Sequence, residues 1–177
     1  MDEGATLAFA DEAGFYLLPR VVRTWARIGR TPILRTPTKY EHLSVASAVT
    51  MDGRLVTQVR DSSFNGAAIV GFLRHLLQQV AGKIVLIWDG ARIHSCQEVK
   101  DFLSEGAAER LHLIRLPAYS PELNPDEGVW QWVKHQLGNV CCLDFAELRY
   151  ELRLAIQRLR YRPHILKSFF ARAGLQI

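Results

Sequence analysis

The sequence predicts an α/β fold: a five-stranded mixed sheet flanked by helices, with a helical addition at the C-terminus. Three observations predict it. Short apolar runs bounded by turn residues dominate the first sixty positions, with Asp52-Gly53 between two of them. Amphipathic helical periods then alternate with two more short runs. After the last of these the chain carries only helical patterns.

Thr6 to Asp11 reads as the first strand, with Phe15 to Leu18 as a short extension. Leu43 to Thr50 and Arg54 to Arg60 flank Asp52-Gly53, which predicts a two-residue hairpin turn and so three antiparallel strands. Asn65 caps a helix whose Ile69, Phe72, Leu73, Leu76, Leu77 and Val80 recur on one face, and Gly82 stops it. Ile84 to Trp88 is too short and too uniformly apolar for a helix. It lies between Gly82 and Gly90 and predicts a strand buried on both faces, ending at Asp89. Ser95 with Glu98 forms a capping-box pattern ahead of Val99, Phe102 and Leu103, and Gly106 ends that helix. Leu111 to Leu116 alternates apolar and polar residues as a fifth strand. Asn124 and Pro125 suit the N-cap and first position of a helix whose Trp130, Val133 and Leu137 share a stripe. Beyond it, Asp144 and Glu147 open a helix with Phe145, Leu148, Leu152, Ala155, Ile156 and Leu159 on one face. Pro163 interrupts, and Ile165, Leu166, Phe169 and Phe170 predict a second, short one.

Three antiparallel strands followed by helix, strand, helix, strand, helix is the ribonuclease-H-like order. Helical crossovers imply a parallel portion of the sheet, with the first and fourth strands adjacent at its centre. The expectation is a catalytic domain over 1–140 with a basic insertion at about 19–41, and a helical extension over 141–177 packed on the same domain. That extension covers the sheet or offers a surface to a second subunit.

At 177 residues, nearly half of them hydrophobic, the chain is long enough for one domain with a substantial core. No apolar run approaches a membrane span and no secretory signal opens it. The three cysteines, Cys96, Cys141 and Cys142, are odd in number and lack zinc-ligand spacing, which points to a reducing compartment. A net charge of +4 permits a nucleic-acid partner. Its distribution is more informative: Arg20, Arg23, Arg27, Arg30, Arg35 and Lys39 follow one another without an acid, interleaved with Trp25, Pro32 and Pro37. This reads as a basic arm for phosphate contacts, against the alternative of a solvated loop. Arg149, Arg153, Arg158, Arg160, Arg162 and Lys167 are mixed with Glu147 and Glu151 and read as a solvated helix face.

Two strands ending in Asp11 and Asp89, with a helix opening in Glu127, bring three carboxylates toward one place. Such a cluster raises its own pKa values, and a divalent cation relieves it. Hard oxygen donors suit Mg²⁺ or Mn²⁺. Alone, Glu127 would read as the far end of a capping box with Asn124. Glu12, next to Asp11, falls on the opposite sheet face if the strand continues. No nucleophile elbow, Walker-type loop or dinucleotide fingerprint is present, and His94 with Cys96 is too sparse for zinc.

FADEAG around Asp11, IWDGARIH around Asp89 and LPAYSPELNPDEGVW around Glu127 resemble, in order and spacing, the catalytic domain of DDE transposases of bacterial insertion sequences related to the mariner superfamily. The resemblance spans about Ala8 to Leu137. The family usually has Asn at the position of Gly90 and a hydrophobic residue at that of Asp126; Glu127, rather than Asp126, falls where the family Glu falls. The resemblance implies two metal ions, with Asp11 bridging them and Asp89 and Glu127 each holding one. It implies cleavage at transposon ends, joining of the 3′-hydroxyl to target DNA, and a homodimer in the bacterial cytoplasm at the nucleoid. His94 and Asn124 are candidate supporting residues. The family's helix-turn-helix region is not found ahead of the first strand, which predicts an excised domain, half of a split frame, or a remnant. The rivals are a ribonuclease-H-like host nuclease, a catalytically silent DNA-binding or assembly module, and an α/β domain whose acids are only caps.

Overall fold

A computed structural model of the chain describes residues 4–35 and 41–175. Lys39 lies outside the described residues. Five strands, β1 (Thr6–Tyr16), β2 (His42–Thr50), β3 (Leu55–Arg60), β4 (Ile84–Trp88) and β5 (Leu111–Arg115), form one sheet in the order β3-β2-β1-β4-β5. The first three pair antiparallel, and β4 joins β1, and β5 joins β4, in parallel. β1 is therefore central, with β4 beside it, as the order of elements requires. Among the described residues no helix is long and apolar enough to cross a membrane.

Helices cover both faces. α1 (Gly66–Gln79) and α2 (Gln97–Ser104) lie on the face formed by Ala8, Ala10, Ala46, Ala48 and Val56. The alanine rows leave room for Ile69, Phe72, Leu73 and Leu76, each about 1.5–3 kcal/mol better buried than exposed. On the other face, Phe9, Phe15, Val45 and Val49 pack against α3 (Pro125–Gln136), α4 (Phe145–Arg160) and α5 (Pro163–Arg172). α4 and α5 thus complete the apolar layer that α3 begins. Asn65 caps α1, accepting from Ala68 N at 2.9 Å, as its position predicts.

Three local expectations need correction. β1 does not end at Asp11 but runs unbroken to Tyr16, because its antiparallel partner β2 continues to pair with it as far as His42. The β2–β3 turn is a three-residue loop, closed by Thr50 N donating to Arg54 O, with Gly53 in the left-handed region at φ 89°. The Thr50 hydroxyl, which accepts from Arg54 N, adds the bond that favours the longer loop. Finally, α2 is not capped by Ser95. A 3-10 turn over Arg92–His94 uses Ser95 as its last residue, so α2 starts after Cys96 without a side-chain cap.

Candidate active site

The register of the sheet places the first two acids. β1 and β4 pair from Thr6↔Ile84 to Phe9↔Ile87, and the same register carried two residues further sets Asp11 opposite Asp89. β4 has ended by then, so a cleft opens beside the surviving half of β1. Alternation along β1 puts Phe9 on the α3 face and Ala8 and Ala10 on the α1 face; Asp11 shares the face of Phe9.

Glu127 arrives from above, and Asn124 sets where. Its Oδ1 accepts from Asp126 N at 3.1 Å, capping α3, while its Nδ2 donates to Ala10 O at 3.3 Å, one residue before Asp11. The same side chain therefore ties the helix start to the strand. Asn124 N donates to Pro121 O, so the reciprocal bond of a capping box is not what holds Glu127. Asp11, Asp89, Asn124 and Glu127 line one cavity of about 380 Å³ with Gly90, Arg115 and the loop of Tyr119 and Ser120.

Electrostatics couple the acids. Burial, then the charge of Glu127, pushes the Asp11 carboxyl up to about 7. Asp126 points away from the cleft: it is fully buried and accepts from Ser47 Oγ at 2.6 Å, Ser47 being the cross-strand partner of Asp11. Burial raises its pKa well above the ordinary carboxyl range despite the Ser47 bond. A fully buried acid held by the sheet and a partly buried one lining the cleft thus come from adjacent residues.

His94 is buried against this site from the α1 face. Its ring stacks on Trp88 at 4.1 Å between centroids and an interplanar angle of 5°. Nδ1 lies 2.9 Å from Asp89 Oδ1, and Nε2 lies 3.0 Å from Glu12 Oε1. Glu12 is on the opposite sheet face from Asp11, as alternation predicts, and there it holds the outer nitrogen of His94. Burial disfavours the imidazolium, but the hydrogen bond and charge of Glu12 outweigh that and raise the His94 pKa. Asp89 Oδ1 also accepts from Ala91 N at 2.9 Å, which leaves Oδ2 without a protein donor among the described residues.

The donor set is all carboxylate oxygen, partly buried and mutually repelling, which fits a hard divalent cation. As the side chains stand, no three His, Cys, Asp or Glu among the described residues form a finished metal cage. Asp11, Asp89 and Glu127 share the cavity without closing on a common point.

The basic arm leaves the sheet at the end of β1 that lies beyond Asp11. Asn139, at φ 61°, grips it: Oδ1 accepts from Val22 N, Nδ2 donates to Val22 O, both at 2.9 Å, and its backbone N donates to Arg20 O. Arg20, Arg23, Arg27, Arg30 and Arg35 are all exposed, as are Trp25, Ile28 and Ile33. Sequence reasoning missed Glu12 as a partner of His94, Asn139 as the anchor of the arm, and Arg115. None of the three carried a signal of its own; the departure at Gly90 in the second motif marks a missing side chain, and only the fold puts Arg115 in that space.

The family model for DDE superfamily endonucleases matches residues 6–149. No curated protein sequence matches significantly. Among solved structures, the mariner Mos1 paired-end complex with Mg superposes with a TM-score of 0.64 at 16% identity, over 97% of this chain and 56% of that one. The catalytic domain of Mos1 mariner transposase gives 0.57 at 15%, over 97% and 83%. The catalytic core domain of BIV integrase gives 0.53 at 14%, over 86% and 82%. The chain spans little more than half the length of the Mos1 chains in the DNA complexes. The fold shared with these catalytic domains is the ribonuclease-H-like one that the element order predicts. By that match, across four fifths of its length, the chain belongs to the DDE superfamily endonuclease family.

Proposed function

We propose that the chain is a DDE transposase catalytic domain that cuts DNA and transfers the freed strand, with Asp11, Asp89 and Glu127 as ligands of two divalent ions, Mg²⁺ or Mn²⁺. The observation that carries this reading is the entry of those three carboxylates, from β1, the end of β4 and the first turn of α3, into one cavity. Mos1 complexes with Mg and with Mn support the choice of ion. When bound, the pair of ions would supply water activation and charge neutralisation for an in-line phosphodiester displacement.

The chain's own part is placement. Asp11 on the central strand, Asp89 at the end of β4 and Glu127 on the first turn of α3 would hold the ions. His94 holds Asp89 Oδ1 and leaves Oδ2 to the cleft, and Glu12 fixes His94 in turn. Asn124 sets the height of Glu127 over β1. Arg20, Arg23, Arg27, Arg30, Arg35 and Lys39 supply phosphate contacts to transposon-end or target DNA. Residues 141–177 extend the domain of residues 1–140, a homodimer pairs two DNA ends, and base recognition comes from a separate helix-turn-helix region, all in a bacterial nucleoid.

A second reading, a catalytically silent assembly module, rests on the arm alone, where Arg20, Arg23, Arg27, Arg30 and Arg35 are exposed together with Trp25, Ile28 and Ile33. Supercoiled plasmid with Mn²⁺ decides between them. The wild type nicks and Asp89→Asn does not, although both are retained on DNA at low salt. Nicking by Asp89→Asn would exclude Asp89 as a ligand, and a silent wild type would leave the assembly reading. Joining of a nicked 3′ end to a second duplex separates a transposase from a host nuclease.

A further inference from the structure

We propose that Arg115 is a phosphate-binding residue of the active site, its guanidinium seated in the space that a side chain at position 90 would fill. Arg115 is the last residue of β5 and pairs in register with Trp88, so it stands beside the strand end that carries Asp89 and Gly90. A Cβ on Gly90 would lie 2.1 Å from Arg115 Nε and Nη2 and 2.3 Å from Cζ. Gly90 is not in the left-handed region, so the backbone does not demand glycine there; the guanidinium does. The Asn that the resemblance leads one to expect at this position and the observed Arg115 conformation exclude each other.

Arg115 lines the same cavity as Asp11, Asp89 and Glu127. Among the described residues it forms no salt bridge with any of them, whereas Arg54 and Arg149 are each paired with an acid. A resting counter-ion for the acids would be paired. An unpaired guanidinium at the rim of an acid cluster has its donors free for an incoming anion, and its planar fork matches two oxygens of a phosphate. Three ionised carboxylates alone repel a phosphodiester, and two divalent ions leave the centre only weakly positive. Arg115 adds a cation on the β5 side of that cavity. This rests on the proposed function for the identity of the anion, a backbone phosphate of the DNA to be cut.

The probe is a 30-bp duplex of arbitrary sequence, with Ca²⁺ in place of Mg²⁺ and affinity measured across a salt series. Arg115→Gln weakens binding about tenfold and lowers the slope of log K against log [salt] by about one, the signature of one lost phosphate contact. Gly90→Ala does the same by displacing the guanidinium, because the atoms it meets are the movable end of a long side chain. The double variant is no worse than either single one. Arg115→Lys keeps the slope. Both positions are exposed, and unchanged thermal midpoints verify folding. Wild-type affinity and slope in Arg115→Gln would overturn the proposal, as would additive losses in the double variant. Plasmid nicking, assayed in parallel, judges the proposed function separately: a wild type that binds with the Arg115-dependent slope but never nicks keeps the phosphate site and loses the chemistry.

Discussion

Asp126 and Glu127 differ by one position and about 100° around a helix, and that rotation decides their chemistry. Asp126 faces Ser47 and the sheet, where burial raises its pKa; Glu127 faces the cleft and Asp11. Glu127→Gln is therefore expected to abolish Mn²⁺-dependent nicking. Asp126→Asn, which preserves an acceptor for the Ser47 hydroxyl, retains nicking and folds with a thermal midpoint near that of the wild type. Asp126→Ala leaves a cavity and an unpaired hydroxyl, at a cost of about 1–3 kcal/mol in a denaturant titration. From sequence the two acids were separable only by the place of the family Glu, because both suit a first helical turn. The sheet beneath them, not the helix, distinguishes one from the other. The raised pKa of Asp11 gives a second test. Between 3.8 and about 7 the unfolded chain releases this proton while the folded chain keeps it, so stability falls as pH rises through that window. His94 acts in the same sense: its raised pKa contributes stability that is complete below 6.5 and lost as pH passes its folded value. The metal-free protein is expected to melt at a lower temperature at pH 8 than at pH 5. Asp11→Asn flattens the difference, and Mn²⁺ restores much of it at pH 8. A metal-free midpoint that climbs with pH would contradict this account of the acids.

At the level of elements, the site depends on how α3 is seated. Asn124 joins it to β1, and Asn124→Ala removes both the cap and the bond to Ala10 O, costing about 1–2 kcal/mol and lowering the nicking rate through a displaced Glu127. Gly128 seats the other side of the helix. A Cβ there would meet the Phe169 ring at 2.7 Å and its Cβ at 3.1 Å. Alanine gains about 1 kcal/mol of helix propensity, but Phe169 is buried and cannot swing clear, so α5 is pushed off α3. Overpacking of this kind costs about 1–3 kcal/mol, and Gly128→Ala is expected to unfold at lower denaturant than the wild type. The helices themselves were legible because their apolar stripes are long: α1 and α4 carry four or more buried residues at helical spacing. The true length of β1 was not, since Asp11-Glu12-Ala13-Gly14 interrupts the apolar run while its pairing is with a distant strand, β2. The 3-10 turn at His94 was hidden for a similar reason. Its stability comes from stacking on Trp88 and from Glu12 across the sheet, and neither contact leaves a periodic trace.

Across the whole molecule, β1 sends its acid-bearing middle into the cleft and its far end into the basic arm, so cutting and holding DNA are expected to be separable. The arm's arginines are exposed, and its path is fixed near its root by Asn139, whose side chain holds both backbone groups of Val22. Replacing Arg23, Arg27, Arg30 and Arg35 together by Gln removes up to four phosphate contacts. The slope of log K against log [salt] for duplex binding should then drop by up to about 3–4, with little change in melting temperature. Plasmid nicking at low salt persists at a reduced rate, because the acids are untouched, and fails first as salt is raised. Asn139→Ala tests the anchor without altering charge. An arm released at its root still carries every arginine, so the slope stays near the wild-type value, while affinity falls by the entropy of ordering the loop on binding. A slope unchanged by loss of the four arginines would assign the arm to solvent and leave DNA binding to the cleft and Arg115.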